Sequence, residues 1–175
     1  MESNKNSSTW VSKPPTSLFT HILVPIDFGA SSIRALDLAI EIALTFAAEL
    51  TLLHVHEIPF YPYAGGAPVS IGELIPAEEV TKVRLEETVR RVAQRHPMVK
   101  SQLRTGVPWQ RIVEAIKEPG IDLVVMGTHG HRGLSHLLLG SVAEKVVRIS
   151  PVPVMTVRDK IGHDSVPYRT EEVSR

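Results

Sequence analysis

Cysteine is absent from this chain of 175 residues. The absence excludes a disulfide framework, a thiolate zinc site and a cysteine nucleophile, and it fits a reducing compartment, so a cytoplasmic location is expected. An excess of charge is absent as well, because 19 Lys and Arg balance 19 Asp and Glu. Without a global positive field, neither nucleic acid nor an anionic membrane is expected as a partner, and any anion site must be local. No apolar stretch approaches the roughly 20 residues that span a bilayer. The polar start MESNKNSSTW also lacks the apolar core of a secretory signal. Two catalytic signatures are missing too. There is no G-x-x-x-x-G-K-[ST], which argues against a P-loop ATPase, and no G-x-S-x-G elbow of the hydrolase kind.

What is present divides into two ends and a middle. Residues 1–17, rich in Ser, Asn, Lys and Pro, read as a disordered N-terminal tail, and residues 159–175, of mixed charge and interrupted by Pro167, as a flexible C-terminal one. Residues 18–158 are left as a single folded domain, with no repeat between its halves. Inside it, short apolar runs recur: His21 to Asp27, Leu50 to Val55, Val99 to Thr105, Ile121 to Met126 and Val152 to Val157. Helical spacing fills the gaps. Ile33, Leu36, Ile40, Ala43 and Ala47 share a face opposite Arg34, Asp37, Glu41 and Thr45. A second helix starts with Pro76 at its first position and aligns Leu85, Val89 and Val92; a third runs from Pro108 towards Pro119-Gly120. A fourth carries Val142, Val146 and Ile149 and stops at Pro151. The alternation β-α-β-α-β-α-β-α-β predicts a doubly wound α/β fold, a parallel sheet with helices on both faces. Ligands of such sheets bind outside the carboxyl ends of the strands, where the winding reverses.

Gly127 to Ser141, GTHGHRGLSHLLLGS, occupies such an end. Gly127, Gly130 and Gly140-Ser141 follow the spacing G-x2-G-x9-G-S. Glycines let the backbone approach an anion with its N–H groups exposed, and a helix start adds unpaired donors and the positive end of the macrodipole. Ser141 is placed either to cap that helix or to donate its hydroxyl to a ligand oxygen. His131 and Arg132 add positive charge between the glycines. A phosphate group matches these features, although turn and cap chemistry alone also produces a glycine after a strand and a Gly-Ser before a helix.

The same block continued to GTHGHRGLSHLLLGSVAEKVVR, together with ILVPIDFG and PVPVMTVR, resembles the universal stress protein family, and specifically its ATP-binding branch, whose signature is G-x2-G-x9-G-[ST]. The resemblance covers about His21 to Arg158. It implies a five-stranded parallel sheet of order 3-2-1-4-5, of the adenine nucleotide alpha hydrolase-like kind. It implies that Asp27 contacts the nucleoside, with Pro25 and Ile26 beside it, and that the backbone of Val55 meets the adenine edge. Met126 and Gly127 would line the base and ribose pocket. The cofactor-binding set continues through Thr128 and His129 to Gly130, His131, Arg132 and Gly133 around the phosphates, and Gly140, Ser141 and Val142 would hold them from the helix start. The implied cofactor is ATP, ADP or AMP, with Mg²⁺ carried on the nucleotide. A homodimer through the Val152–Val157 strand and an unidentified protein partner complete the picture. Asp27 has a second reading from its residues alone, as a cap for the following helix. Many relatives carry Arg or Lys where this chain has His131, and a neutral imidazole neutralises no phosphate charge, which leaves Arg132 to compensate.

The function so implied is nucleotide-dependent regulation in a stress response with slow or no ATP hydrolysis and no assigned catalytic residue. Two alternatives stand beside it: an enzyme that turns over ATP, as a slow ATPase or by adenylyl transfer, and a nucleotide-free dimeric scaffold. His129, His131 and His136 are close in sequence, but their spacing forms no i, i+4 pair and no acid or thiol lies nearby, so no metal site is assigned. His54 and His56 read as edge or core histidines, and Phe60-Tyr61-Pro62-Tyr63 as a linker.

Overall fold

The computed structural model describes residues 17–57, 71–128 and 139–158, with the side chains of the second helix from residue 78 onward. The two tails, the Phe60–Tyr63 segment and residues 129–138 lie outside the described residues. Strands and helices alternate as β1 (His21–Pro25), α1 (Ala30–Phe46), β2 (Glu49–His56), α2 (Ile71–Ala93), β3 (Val99–Thr105), α3 (Pro108–Ile116), β4 (Leu123–Gly127), α4 (Ser141–Ile149) and β5 (Val154–Val157). Every strand pair is parallel and the order is β3-β2-β1-β4-β5, the doubly wound α/β sheet expected. β1 lies at the centre, with Ile22 opposite both Leu50 of β2 and Leu123 of β4.

Successive side chains of a strand point to opposite faces, so the near-continuous apolar runs supply two cores. Ile22, Val24, Leu50, Leu52, Leu123 and Val125 pack against α1 and against Leu85 and Val92 of α2. Leu23, Leu53, Val124 and Met126 face the other way, onto Ile112 and Ile116 of α3 and Ala143 and Val146 of α4. At the amino ends of the strands, Asp122 closes the corner. Its Oδ2 accepts the Thr20 N–H at 2.7 Å and the Thr20 hydroxyl at 2.6 Å, and its Oδ1 accepts the His21 N–H at 3.1 Å.

Several boundaries differ from the sequence reading. α2 begins at Ile71, five residues before Pro76. Ile71, Leu74 and Ile75 already stand at helical spacing, and Pro76 removes only one bond near the helix start. Ala47 is the αL C-cap of α1 and is exposed, its N–H closing the last turn, so it does not extend the apolar face. In α4 the buried pair is Ala143 and Val146, while Ile149, in the last turn, is 45% exposed. β5 starts at Val154 because Ser150 Oγ folds back on both the N–H and the carbonyl of Val152.

Candidate functional site

A cavity of about 590 Å³ opens at the carboxyl ends of β1, β2 and β4, on the side covered by α3 and α4. Pro25, Ile26 and Asp27 enter it from the end of β1, Val55 from β2, and Met126, Gly127 and Thr128 from the end of β4. Gly140, Ser141 and Val142 reach it from the start of α4. These ten residues from four separate stretches of chain thus line one cavity. His129, Gly130, His131, Arg132 and Gly133, also read as ligand-binding, lie outside the described residues, and so does His136.

The β1 side is held by a chain of hydrogen bonds. The Ile26 N–H donates to the Leu53 carbonyl at 2.8 Å, prolonging the β1–β2 ladder by one residue. The Ile26 carbonyl accepts from His54 Nδ1 at 2.7 Å. A carbonyl only accepts, so the proton of His54 resides on Nδ1. Burial holds the His54 pKa below the usual imidazole value, against the opposing pull of the Ile26 carbonyl. Asp27 Oδ1 accepts the Gly29 N–H at 2.9 Å. Gly29 is the N-cap of α1 and no side chain caps that helix, so Asp27 is not its cap; its carboxylate instead binds the amide of the cap residue. Ser32 Oγ donates to the Gly29 carbonyl at 3.0 Å and tightens the same turn.

On the β4 side, Gly127 is required by packing as well as by position. A Cβ there would stand 2.6 Å from Ser31 Oγ and 2.9 Å from both the Ser31 carbonyl carbon and the Ser32 nitrogen, so the first turn of α1 rests on the end of β4. Thr128, 3% exposed, is tied through both halves of its backbone: its N–H donates to Val157 of β5 at 2.9 Å and its carbonyl accepts the Gly140 N–H at 2.8 Å.

α4 then opens without a side-chain cap. Its first bond runs from the Glu144 N–H to the Gly140 carbonyl at 2.9 Å. Helix geometry leaves the N–H groups of Ser141, Val142 and Ala143 without an intrahelical acceptor, and all three residues line the cavity. Ser141 is exposed and Glu144 turns outward towards Arg148 at 3.9 Å. Three donors and the positive end of the helix thus face a hollow whose opposite wall, Leu53, Ile112 and Met126, is apolar.

The sequence reading missed Ser32, Leu53, Pro108, Ile112 and Ala143 as lining residues, along with Glu57. Pro108 and Ile112 of α3 become adjacent only through the crossover, and Ser32, Leu53, Glu57 and Ala143 lie close in sequence to residues it assigned but carry no pattern of their own. His54 and His56 line the cavity too, from a strand inside the sheet rather than at its edge; their alternation with Val55 at a strand end was the available signal. Among the described residues no group of three acid or imidazole side chains is arranged to hold a metal.

The sequence model of the universal stress protein family matches residues 18–158. The chain belongs to that family. A universal stress protein of Methanocaldococcus jannaschii is 34% identical over 145 residues, covering 81% of this chain and 83% of the relative. The solved structure of the universal stress protein UspA from Lactobacillus plantarum superposes with a TM-score of 0.71 at 30% identity, over 80% of this chain and 98% of that one. A universal stress protein solved in complex with cAMP gives a TM-score of 0.60 at 26% identity, over 80% of this chain and 97% of its own.

Proposed function

We propose that the domain spanning residues 18–158 binds an adenine nucleotide, ATP or its products ADP and AMP, and acts as a cytoplasmic nucleotide-dependent regulator rather than as a committed enzyme. The observation that carries the reading is the uncapped start of α4 facing an apolar slot. The N–H groups of Ser141, Val142 and Ala143 suit phosphate oxygens, and the wall of Leu53, Val55, Ile112 and Met126 suits a planar base. In this reading Asp27 contacts the ribose and the Val55 backbone the base edge, which their position in the cavity wall supports. The relative bound to cAMP supports the same class of ligand. The fit extends to Mg²⁺ only as a passenger: with no ligand cluster among the described side chains, a divalent ion would be held by the phosphates. The spacing of His129, Gly130, His131, Arg132 and Gly133 is the ground for assigning them to the phosphates in this reading.

β5 is an edge strand whose Met155 is 38% exposed, and it offers the surface for pairing with a second copy. No described helix is long and apolar enough to cross a membrane. The deciding experiment is to heat-denature the purified protein, identify any released small molecule by mass and chromatography, and titrate the stripped protein with ATP and Mg²⁺ by calorimetry. A stoichiometric adenine nucleotide or saturable binding is expected. Neither release nor binding at millimolar nucleotide would leave the scaffold reading in its place.

A further inference from the structure

Two described residues other than glycine have positive φ, Phe28 at +63° and Ala47 at +52°. Ala47 is explained by its helix, since its N–H closes the last turn of α1 on the Ala43 carbonyl. Phe28 terminates nothing. A bulky side chain in the left-handed region is an outlier that persists only where its surroundings hold it. Phe28 stands between Asp27, which lines the cavity, and Gly29, whose N–H the Asp27 carboxylate accepts.

Two side chains stack on the Phe28 ring, which also packs against the core on the α1 side. The His54 imidazole stacks on it at 5.0 Å between centroids with 27° between planes. The Arg84 guanidinium carbon of α2 stands over it at 4.3 Å from the centroid. His54 is itself fixed through its Nδ1–H on the Ile26 carbonyl, one residue before Asp27. The stack therefore ties α2 to the turn Ile26-Asp27-Phe28-Gly29, although Arg84 is exposed and does not line the cavity.

We infer that Phe28 is a positioning residue, locked in its left-handed conformation by His54 and Arg84 so that Asp27 is presented to the cavity, and that α2 thereby sets ligand affinity without touching the ligand. By reciprocity, a bound ligand stabilises the contact of α2 with the turn. The inference rests on the nucleotide reading for its affinity arm only, because the geometry of the turn is measurable in the free protein.

The test uses the full chain and four variants: Arg84→Gln, Arg84→Lys, Phe28→Leu and, as a control that removes the same charge from an exposed position of α2, Lys82→Gln. In the free protein, imidazole NMR should show the proton of His54 on Nδ1. Both Arg84→Gln and Phe28→Leu should speed hydrogen exchange at the Gly29 amide and shift the His54 resonances, and Lys82→Gln should do neither. With ATP and Mg²⁺ as the probe, Arg84→Gln should weaken binding about two- to fivefold, the range of an exposed cation–π contact. Phe28→Leu should weaken it about tenfold, and Arg84→Lys should restore part of the loss. Equal losses in Lys82→Gln and Arg84→Gln would reduce the effect to net charge and overturn the inference. Gly29 exchange and His54 resonances unchanged in both stack variants would overturn it whether or not nucleotide binds. Absence of ATP binding by the unaltered protein, with both free-protein signatures present, would sink the nucleotide reading and leave the positioning of Asp27 established.

Discussion

Gly127 and Ser31 touch where the end of β4 meets the start of α1, so closely that a Cβ on the glycine would fall 2.6 Å from the serine Oγ. The hydroxyl can rotate away, but the Ser31 carbonyl carbon and the Ser32 nitrogen at 2.9 Å are backbone and cannot. Gly127→Ala must therefore push α1 off the sheet. We expect a loss of about 1–3 kcal/mol, the usual cost of overpacking, read as a lower urea midpoint with the slope of the transition unchanged. An unaltered midpoint would mean that the glycine is not a packing requirement.

Gly140 tests the other side of the cavity. Replacing it with Val adds a branched side chain at the entry of α4, between the Thr128 carbonyl contact and the N–H groups of the first turn. ATP affinity should fall about tenfold, or about 1.4 kcal/mol, while far-UV circular dichroism stays that of the parent. Calorimetry showing equal affinity would remove α4 from the ligand's environment.

Stability should decline with acid in two stages. Burial, aided by the nearby Lys100 charge, lowers the His21 pKa, and burial lowers that of His54. The unfolded chain takes up both protons near the ordinary value of 6.5, before the folded protein does, so stability is full above that pH and falls as pH drops through the folded values. The second stage belongs to carboxylates. Burial raises Asp122, but the hydrogen bonds from Thr20 and His21 outweigh it, and the Gln102 amide lowers Glu118 with Arg104 assisting. Their contribution is full above their ordinary range near about 4 and is lost as pH falls through their lower folded values. Melting temperatures equal at pH 8 and pH 5 would contradict the first stage.

Hydrolysis of ATP should be slow or absent. Attack by water needs a base or an orienting side chain near the γ-phosphate, and of the described carboxylates only Asp27 and Glu57 line the cavity. The Asp27 carboxylate is engaged by Gly29, Glu57 follows the end of β2 beside the Val55 wall proposed for the base, and Glu144 turns out to Arg148. Phosphate release with Mg²⁺ and ATP should stay well below the roughly 1 to 10³ per second of committed enzymes. A rate of about one per second, abolished by Gly140→Val, would make the protein an ATPase.

The architecture was legible because its signals are local and repeated. The spacing of Leu36, Ile40 and Ala43 or of Leu85 and Val92 needs no partner to be read, and neither does the apolar run through Leu50, Leu52 and Leu53. The cavity was legible in part for the same reason, since Asp27, Gly127 and Gly140-Ser141 stand at the ends of those elements. What escaped was whatever depends on crossovers. Ile112 of α3 and Leu53 of β2 are unremarkable core residues until α3 is laid over the sheet. Gly127 read as a ligand glycine alone, because sequence cannot show that Ser31 approaches it as well. Phe28 carries no mark of its left-handed backbone, because the partners that hold it there come from β2 and α2.

The hydrogen bond from Gly140 to Thr128 gives the scaffold a form of modularity. It brings together the two points from which residues 129–139 depart and return, so the sheet and α4 are already joined at the neck of that excursion. Chain entropy then penalises a longer excursion only weakly, about 0.6 kcal/mol for each doubling of its length. Substitutions between those two residues should therefore cost the frame little stability.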